Sequence, residues 1–477
     1  MGLKKLVKKG GGEMGLPRNS VYTNSLSEAK MEILEIICAF RGGKESLMLQ
    51  RCPRVAVGLV FSVSLCVCAS VTLSAAESDQ LPANYLAGMN HPLHVNNAGG
   101  LNGKGNIPTP HGFPFGVDTL MNFTDHFEEP GIYFDGTAHH IWEYSMVGNT
   151  PNQGGTTTFN APIVPVTLDL RNADGSPRFV NGQPLISHPD AFVRPVLNSP
   201  VFSSTSFSSS EVPTQITDAI QKAEFGNHAS PDWHTVLKPV VKTGQTMVLI
   251  KGTYRFALNS DGTCCLFVLV DENTFANELF PPTSPPDNST VMGAAEVAGD
   301  ITTKDISTFL FPNTYLYANN DPTQCCILGF HNFDVELGDA SNGNQLRFYV
   351  MNYASWITPG VLGPVFQDVT ALSHEMAEIY NDPFVGFDGI HNITPFWLNA
   401  AGQCQDLMEV GDVVEDLPNP TFPITLNGFT YHPQTVALLP WFEFNGNSFA
   451  LNDAYSYTNE TVITSLSSPQ PLNCGQH

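Results

Sequence analysis

The sequence predicts an α+β protein with a mixed sheet, one helix of metal-binding type and a C-terminal part rich in short strands. Apolar runs and alternating apolar and polar residues recur between residues 161 and 356, which is typical of strands. Near residue 374 the apolar residues instead recur every three or four positions, which indicates a helix. The 477 residues suffice for one large core or two medium ones.

The N-terminal 76 residues differ in character from the rest. The uncharged run Val55–Ala76 ends in a small-x-small cleavage pattern and follows Arg51 and Arg54. This is the organisation of a secretory signal, so we interpret residues 48–76 as a signal peptide. Residues 1–47 would then be an upstream extension, expected to be disordered. The alternative is a membrane anchor, because the run is long enough to span a bilayer.

The charge balance agrees with export. Residues 1–76 hold 10 of the 21 lysines and arginines but only 5 of the 45 aspartates and glutamates, which leaves 11 basic and 40 acidic residues in the remainder. Nucleic acid and anionic membrane surfaces repel so acidic a chain. We therefore predict a secreted, extracellular protein with no nucleic-acid partner and no membrane association after signal cleavage.

After the signal, residues 77–160 are rich in Gly, Asn, Pro and His and predict a loop-rich N-terminal arm. Residues 161–477 are predicted to form the α+β domain. Its first elements are a strand at Ala161–Leu170 and a helix over residues 214–225, whose N-cap is Thr214. Several strands are predicted between residues 234 and 274.

The second half of the domain continues this pattern. Tyr315–Tyr317, Cys325–Phe330 and Leu346–Trp356 are predicted strands. A helix over Phe366–Tyr380 follows Pro359-Gly360 and is ended by an Asn-Asp-Pro sequence. Short strands are predicted again between residues 425 and 465.

Cysteines and glycosylation sequons fit an exported chain. The cysteines after residue 76, which are disulfide candidates, are Cys264, Cys265, Cys325, Cys326, Cys404 and Cys474. Neighbouring strand residues point to opposite faces, so we expect a bridge between the two Cys-Cys pairs rather than within each, with Cys404 and Cys474 left over. The Asn-x-Ser/Thr acceptors, which would carry glycans in a eukaryotic secretory pathway, are Asn122, Asn288, Asn392 and Asn459.

The most informative motif is His374-Glu375-Met376-Ala377-Glu378. On a helix, positions i and i+4 share a face, so His374 and Glu378 can bind one metal ion. Glu375 lies about 100° further round and could reach a water held by that ion. The motif matches the H-E-x-x-H helix of zinc proteases with its second histidine replaced by glutamate. A carboxylate at that position also suits calcium or manganese.

Two ligands rarely hold a metal alone, so a third must come from elsewhere. Zinc proteases place it some tens of residues downstream of the helix. The candidates that the residues leave open are His391, Asp406, Glu409, Asp412 and Glu415.

A resemblance favours two of these candidates. The run Ser373–Pro383, followed by Glu409-Val410-Gly411-Asp412, resembles a motif pair of the plant exordium (phosphate-induced) proteins and of related secreted microbial proteins. The strand around His331 is similar to a Cys-rich strand of that family. This resemblance implies a zincin-like fold, with His374, Glu378 and either Glu409 or Asp412 as metal ligands. It extends loosely over residues 160–460.

These residues suggest specific catalytic roles. Three ligands leave a fourth position on the metal for water, and Glu375 would take its proton and pass it to the leaving amine. His331, Tyr380 or Tyr431 could stabilise the oxyanion, and Asp382 could fix the tautomer of His374 or the end of the helix from outside the ligand set.

We therefore predict a secreted metal-dependent hydrolase, of zincin-like peptidase type, that uses zinc and acts on an extracellular protein or polysaccharide. Calcium and manganese are the alternative cofactors. The alternative function is a non-catalytic, exordium-like protein with a structural metal site that binds extracellular polymer. The sequence leaves open whether the site is catalytic.

Overall fold

The computed structural model describes residues 78–88, 116–130, 139–208, 212–385, 397–398, 404–405, 408–443 and 445–466. All of them belong to the unit Leu73–His477. The predicted signal peptide and the predicted upstream extension lie outside the described residues. So do His391, Asn392, Asp406 and Cys474 and the side chain of Cys404.

The protein is a mixed α and β structure built on a mostly parallel central sheet. The strands of the described residues, which belong to several sheets, are β1 (Val117–Asp118), β2 (Asn122–Pro130), β3 (His139–Val147), β4 (Thr156–Arg171), β5 (Phe179–Val180), β6 (Gln183–Pro184), β7 (Ile186–Ser187), β8 (His234–Val241), β9 (Gln245–Ile250), β10 (Tyr254–Leu258), β11 (Cys264–Asp271), β12 (Ser307–Pro312), β13 (Thr314–Tyr317), β14 (Cys325–Ile327), β15 (Gly329–Glu336), β16 (Leu346–Trp356), β17 (Trp397–Leu398), β18 (Cys404–Gln405), β19 (Ile424–Leu426), β20 (Phe429–Tyr431), β21 (Val436–Ala437) and β22 (Ser456–Tyr457). The helices are α1 (Asp190–Leu197), α2 (Ile216–Phe225), α3 (Glu272–Leu279), α4 (Val291–Val297), α5 (Thr370–Asn381), α6 (Asp412–Glu415) and α7 (Leu439–Phe442).

The central sheet has the order β1-β16-β12-β4-β7. Strands β1, β16, β12 and β4 run parallel to their neighbours in this order, and β8 and β9 pair with β4 in parallel. Antiparallel β7 and β15 pair with β4 and β16. Every residue of β12 is buried, which is expected of a parallel strand that is covered on both faces. A second sheet has the order β10-β11-β13-β14.

Most of the predicted strands are confirmed. Strand β4 contains the predicted Ala161–Leu170, β16 coincides with the predicted Leu346–Trp356, and β8 to β11 fill residues 234–271. The predicted strand Cys325–Phe330 is divided between β14 and β15. Short strands in the C-terminal part are also present, as β19 to β22.

Residues 122–130 and 139–147, which were predicted to belong to a loop-rich arm, form strands. Here β2 and β3 form an antiparallel hairpin that is paired over the full nine residues of each strand. Phe123 and Phe127 are the side chains of β2 that face the core, while Thr124, Asp125 and His126 are exposed. Two apolar residues among charged ones gave too weak an alternation to be recognised.

The helix predictions hold with shifted N-termini. Helix α2 begins after Gln215 instead of Thr214, because the Thr214 hydroxyl donates to Asp218 Oδ2 (2.6 Å) and caps no backbone N–H. Helix α5 begins at Thr370, four residues later than predicted, since Asp368 has a φ of +42° that a right-handed helix does not accommodate. Helices α1, α3, α4, α6 and α7 were not predicted, although Asp271 and Thr290 supply N-cap bonds to α3 and α4, and α7 lies where short strands were predicted.

The predicted disulfide between the Cys-Cys pairs was wrong. Each pair is bonded internally, Cys264 to Cys265 and Cys325 to Cys326, and the peptide within each pair is cis. Strand β13 lies between β11 and β14, and Cys325 pairs with Tyr317, which is level with Asp271 at the opposite end of β11 from Cys264. The separation of the two pairs exceeds the Cα–Cα distance that a disulfide spans.

Helix α5 packs on the central sheet and positions the candidate site. It contacts β15 and β16, the hairpin strand β3 and helix α2. Among the described residues no helix has the length and apolar character needed to cross a membrane. Of the sequon asparagines, Asn288 is exposed and Asn122 and Asn459 are partly buried.

Candidate metal centre

Helix α5 brings His374, Glu375 and Glu378 into the protein interior. All twelve residues of α5 are buried, and these three are at most 2% exposed. They face β15 and the segment that leads into α6.

A first group of potential ligands consists of His374, Glu378 and Asp412. His374 Nε2 lies 2.9 Å from Glu378 Oε1 and 3.3 Å from Asp412 Oδ1. The ligand atoms of the three residues all lie within 4.8 Å of one another. The i, i+4 spacing on α5 places the first two, and Asp412, the first residue of α6, completes the group.

A second group consists of His331, Glu378 and Glu409. His331, on β15, places Nδ1 3.4 Å from Glu378 Oε2 and 3.8 Å from Glu409 Oε2. Their ligand atoms also lie within 4.8 Å of one another. Glu375 borders this group, because its Oε2 is 3.4 Å from the same nitrogen of His331. Glu409 and Asp412, the two sequence candidates for a third ligand, thus belong to different groups that share Glu378.

Hydrogen bonds outside the groups hold both imidazoles. His374 Nδ1 lies 3.0 Å from Gln434 Oε1, and the amide nitrogen of Gln434 donates to Gly411 O (2.8 Å). His331 Nε2 lies 3.1 Å from the backbone carbonyl of Asp382. Because both partners are acceptors, Nδ1 of His374 and Nε2 of His331 carry the N–H. The other nitrogen of each ring then presents a lone pair to the carboxylates, as in metal-bound histidines.

Several atoms at the centre have no hydrogen-bond partner within the described part of the chain. These atoms are His331 Nδ1, His374 Nε2, Glu375 Oε1, Glu409 Oε1 and Asp412 Oδ1. All are buried, and no lysine or arginine of the described residues forms an ion pair with these carboxylates. Lone pairs that face one another in a dry interior are costly unless a cation lies between them.

The pKa values of the buried histidines and carboxyl groups are raised, which indicates that positive charge is favoured at the centre. Burial and neighbouring carboxylates raise the pKa of Glu409 and Asp412 well above the ordinary range. Burial alone would lower the pKa of His331, but Glu375 and Glu378 raise it to about 10. The pKa of His374 is also raised, by Glu378 and Asp412 against the effect of burial. In the absence of a metal, protons would therefore occupy the space between these groups.

The distances also suit a metal. Tetrahedral coordination with bonds of about 2.0–2.1 Å separates ligand atoms by about 3.3 Å. The separations measured from His374 Nε2 and His331 Nδ1, 2.9 to 3.8 Å, lie on both sides of this value. An imidazole nitrogen in each group favours zinc or manganese over calcium, which takes oxygen ligands.

Two glycines allow the backbone to approach the centre. A Cβ on Gly411 would lie 2.5 Å from His374 Nδ1, and the Gly411 N–H donates to Glu378 Oε1 (3.0 Å). A Cβ on Gly329, at the start of β15, would lie 2.8 Å from Glu375 Oε1. The glycine of the Glu-Val-Gly-Asp segment therefore lets that segment pack against α5.

The other residues predicted to act at the site, Tyr380, Tyr431 and Asp382, either lie away from it or make contacts other than those predicted. The hydroxyls of Tyr380 and Tyr431 donate to Thr235 O (3.2 Å) and Pro195 O (2.9 Å), so neither is directed at the centre. Asp382 does not orient His374, but it is the C-cap of α5, where its N–H donates to Glu378 O (2.6 Å), and its backbone carbonyl lies beside His331 Nε2. The role of orienting His374 belongs to Gln434, which sequence reasoning missed because no spacing connects it with the helix motif.

Comparison with protein-family models, with curated proteins and with solved structures finds no match to this chain.

Proposed function

We propose that this chain is a metal-dependent hydrolase whose metal ion, zinc by preference, is held by His374, Glu378 and Asp412. The observation that carries the proposal is the convergence of these buried side chains, with His374 Nε2 and Asp412 Oδ1 lacking hydrogen-bond partners among the described residues. A cation supplies the positive charge that the described surroundings do not.

The chemistry of the ligands supports a catalytic role. Structural zinc sites are usually closed by four ligands that include cysteines, whereas catalytic sites use three nitrogen and oxygen ligands and keep one position open. The group formed by His374, Glu378 and Asp412 is of the second kind. A divalent cation there would polarise a carbonyl group and make a water molecule more acidic.

Glu375 is suited to move a proton. Its Oε1 has no hydrogen-bond partner within the described structure, and burial raises its pKa to about 7. A general base works best when its pKa lies near the operating pH. We therefore assign the proton transfer to Glu375, as in zinc proteases, whose helix motif this chain shares in part.

We further propose that the substrate is an extracellular protein. The leader-like character of residues 48–76 and the acidity of the remainder support export. Two disulfides also fit an oxidising compartment. The helix motif, which is nearest to that of peptidases, supports peptide bonds as the target.

Metal analysis combined with an activity assay tests the proposal. Purified protein is analysed by plasma emission and assayed on an unfolded protein substrate. Glu375→Gln should keep the metal and lose hydrolysis by about 100-fold or more, since a general base contributes that much. Glu378→Gln should lose the metal. Glu224→Gln, which alters another fully buried glutamate outside both groups, is the matched control and should keep both.

Burial favours a second candidate, a structural metal site. The side chains of the centre are at most 3% exposed, and a substrate must reach a catalytic metal. A structural ion would give a protein that contains metal, hydrolyses nothing and loses thermal stability in Glu378→Gln. A purified protein that binds no metal after incubation with excess zinc would contradict both candidates.

A further inference from the structure

The two oxygens of Glu378 face different groups of ligands. Oε1 is 2.9 Å from His374 Nε2 in the first group, and Oε2 is 3.4 Å from His331 Nδ1 in the second. A carboxylate whose oxygens are divided in this way can bind one ion with each oxygen. Hydrolases with two metal ions hold them about 3.5–4 Å apart.

The second group is as complete as the first. It offers one imidazole nitrogen and the carboxylates of Glu378 and Glu409, which matches the composition of His374, Glu378 and Asp412. The imidazole of His331 is fixed by the Asp382 carbonyl, and its Nδ1 has no hydrogen-bond partner in the described structure. It is fully buried, so water does not solvate it.

One cation cannot satisfy both groups. Glu375, Glu378, Glu409 and Asp412 together bring four carboxylates into a space where their described ion-pair partners are histidines alone. An ion in the first group alone would leave His331 Nδ1 and Glu409 Oε1 without a partner among the described residues. Leaving such groups buried and unpaired is unfavourable.

We propose that the centre is binuclear, with Glu378 bridging one divalent cation bound by His374 and Asp412 and a second bound by His331 and Glu409. This inference rests on the proposed metal centre and adds a second ion to it. Glu375 lies beside the second ion and keeps Oε1 available for proton transfer.

Metal stoichiometry of zinc-saturated full-length protein tests the inference. We expect about two ions per chain in the wild type and about one in both Asp412→Asn and Glu409→Gln, since each variant removes a ligand from one group. Glu378→Gln should retain less than one. Glu224→Gln, the matched control, should retain two.

The outcomes separate the inference from the proposed function. One ion in the wild type, lost in Asp412→Asn and kept in Glu409→Gln, would overturn the binuclear centre and leave the proposed function standing, with protonated His331 as the second cation. Absence of any bound ion would overturn both.

A measurement on the wild type covers the case in which a variant fails to fold. Protein loaded with Mn(II) alone should give the electron paramagnetic resonance spectrum of two exchange-coupled ions, because one carboxylate joins them. The spectrum of isolated Mn(II) at saturation would overturn the inference.

Discussion

At the scale of single residues, the centre depends on how the two imidazole rings are held. Gln434 accepts from His374 Nδ1 and donates to Gly411 O, so it links the ring to the segment that carries Glu409 and Asp412. Its own backbone N–H donates to Ser373 Oγ (2.9 Å), which fixes it against α5. Partners of this kind orient a ligand without touching the metal.

Replacing Gln434 by leucine should therefore weaken metal binding without removing a ligand. We expect a loss of about 10- to 100-fold in zinc affinity, because His374 would lose the acceptor that fixes its tautomer. Competition with a chelator of known affinity measures the change. Gln367→Leu, a partly buried glutamine outside the centre, is the control. Equal affinities for the two variants would show that Gln434 does not position the ring.

Gly411→Ala should disturb the same ring by steric contact. Gly411 has a φ of −79°, so alanine is acceptable to the backbone, but its Cβ would lie 2.5 Å from His374 Nδ1. We expect a loss of about 1–3 kcal/mol in unfolding free energy, typical of overpacking, and weaker metal binding. Chemical denaturation and chelator competition measure these effects. Gly446→Ala, where a Cβ meets nothing within 4 Å, should leave both unchanged.

Sequence reasoning reached part of the centre at this scale. The positions of His374 and Glu378 follow from helical geometry, which is local. Whether Glu409 or Asp412 joins them depends on where a separate segment returns to α5. Sequence spacing does not record that return, and the structure assigns the two residues to different groups.

At the scale of elements, the N-terminus of α5 is tied to the segment that follows β20. Asp368 Oδ1 accepts from the backbone N–H of His432 (2.9 Å), and its Oδ2 lies 2.7 Å from His432 Nδ1. Thr370 Oγ1 donates to His432 O (2.7 Å). These bonds place Gln434, two residues further on, beside His374.

Asp368→Ala should loosen this connection. Asp368 is fully buried, and its loss would leave the His432 groups without their acceptor. We expect a fall of about 3–6 kcal/mol in unfolding free energy, since two hydrogen bonds to a charged group contribute about 1.5–3 kcal/mol each. Asp368→Asn keeps one carbonyl acceptor and should lose less. Equal stability of Asp368→Ala and the wild type in denaturant titrations would contradict this account of the helix N-terminus.

Elements whose own residues form a strong apolar pattern were predicted from the sequence. Features that depend on contacts between distant segments were not. Strand β16 is apolar along most of its length and was predicted with its observed bounds. Strand β2 has only Phe123 and Phe127 as buried apolar residues, and its pairing with β3 was missed. The disulfide pairing depends on β13 lying between β11 and β14, and the order of strands in a sheet is not written in the sequence of any one of them.

At the scale of the whole molecule, the excess of acidic residues affects stability through those that are buried. Glu443 follows α7, and burial, with a contribution from Asp125, raises its pKa from 4.5 to about 7. Folded protein therefore retains a proton that unfolded protein releases between about pH 4.5 and 7. Stability falls as the pH rises through this window, and the deficit persists above it.

Glu443→Gln should remove this pH dependence, because glutamine is neutral throughout. Relative to the wild type we expect no change near pH 4 and a gain of about 3 kcal/mol at pH 8, given about 1.4 kcal/mol for each pKa unit. Chemical denaturation at both pH values measures the difference. Exposed Glu128→Gln is the control. A variant that is less stable than the wild type at pH 8 would show that Glu443 stabilises the fold as a charged group.

We propose that the carboxylates and imidazoles beneath α5 bind a metal ion. The most direct test is a crystal structure of zinc-loaded protein with data collected on both sides of the zinc absorption edge. We predict an anomalous difference peak within coordination distance of His374 Nε2, Glu378 Oε1 and Asp412 Oδ1. A map without a peak at this position, in which these side chains are joined by hydrogen bonds alone, would contradict the claim.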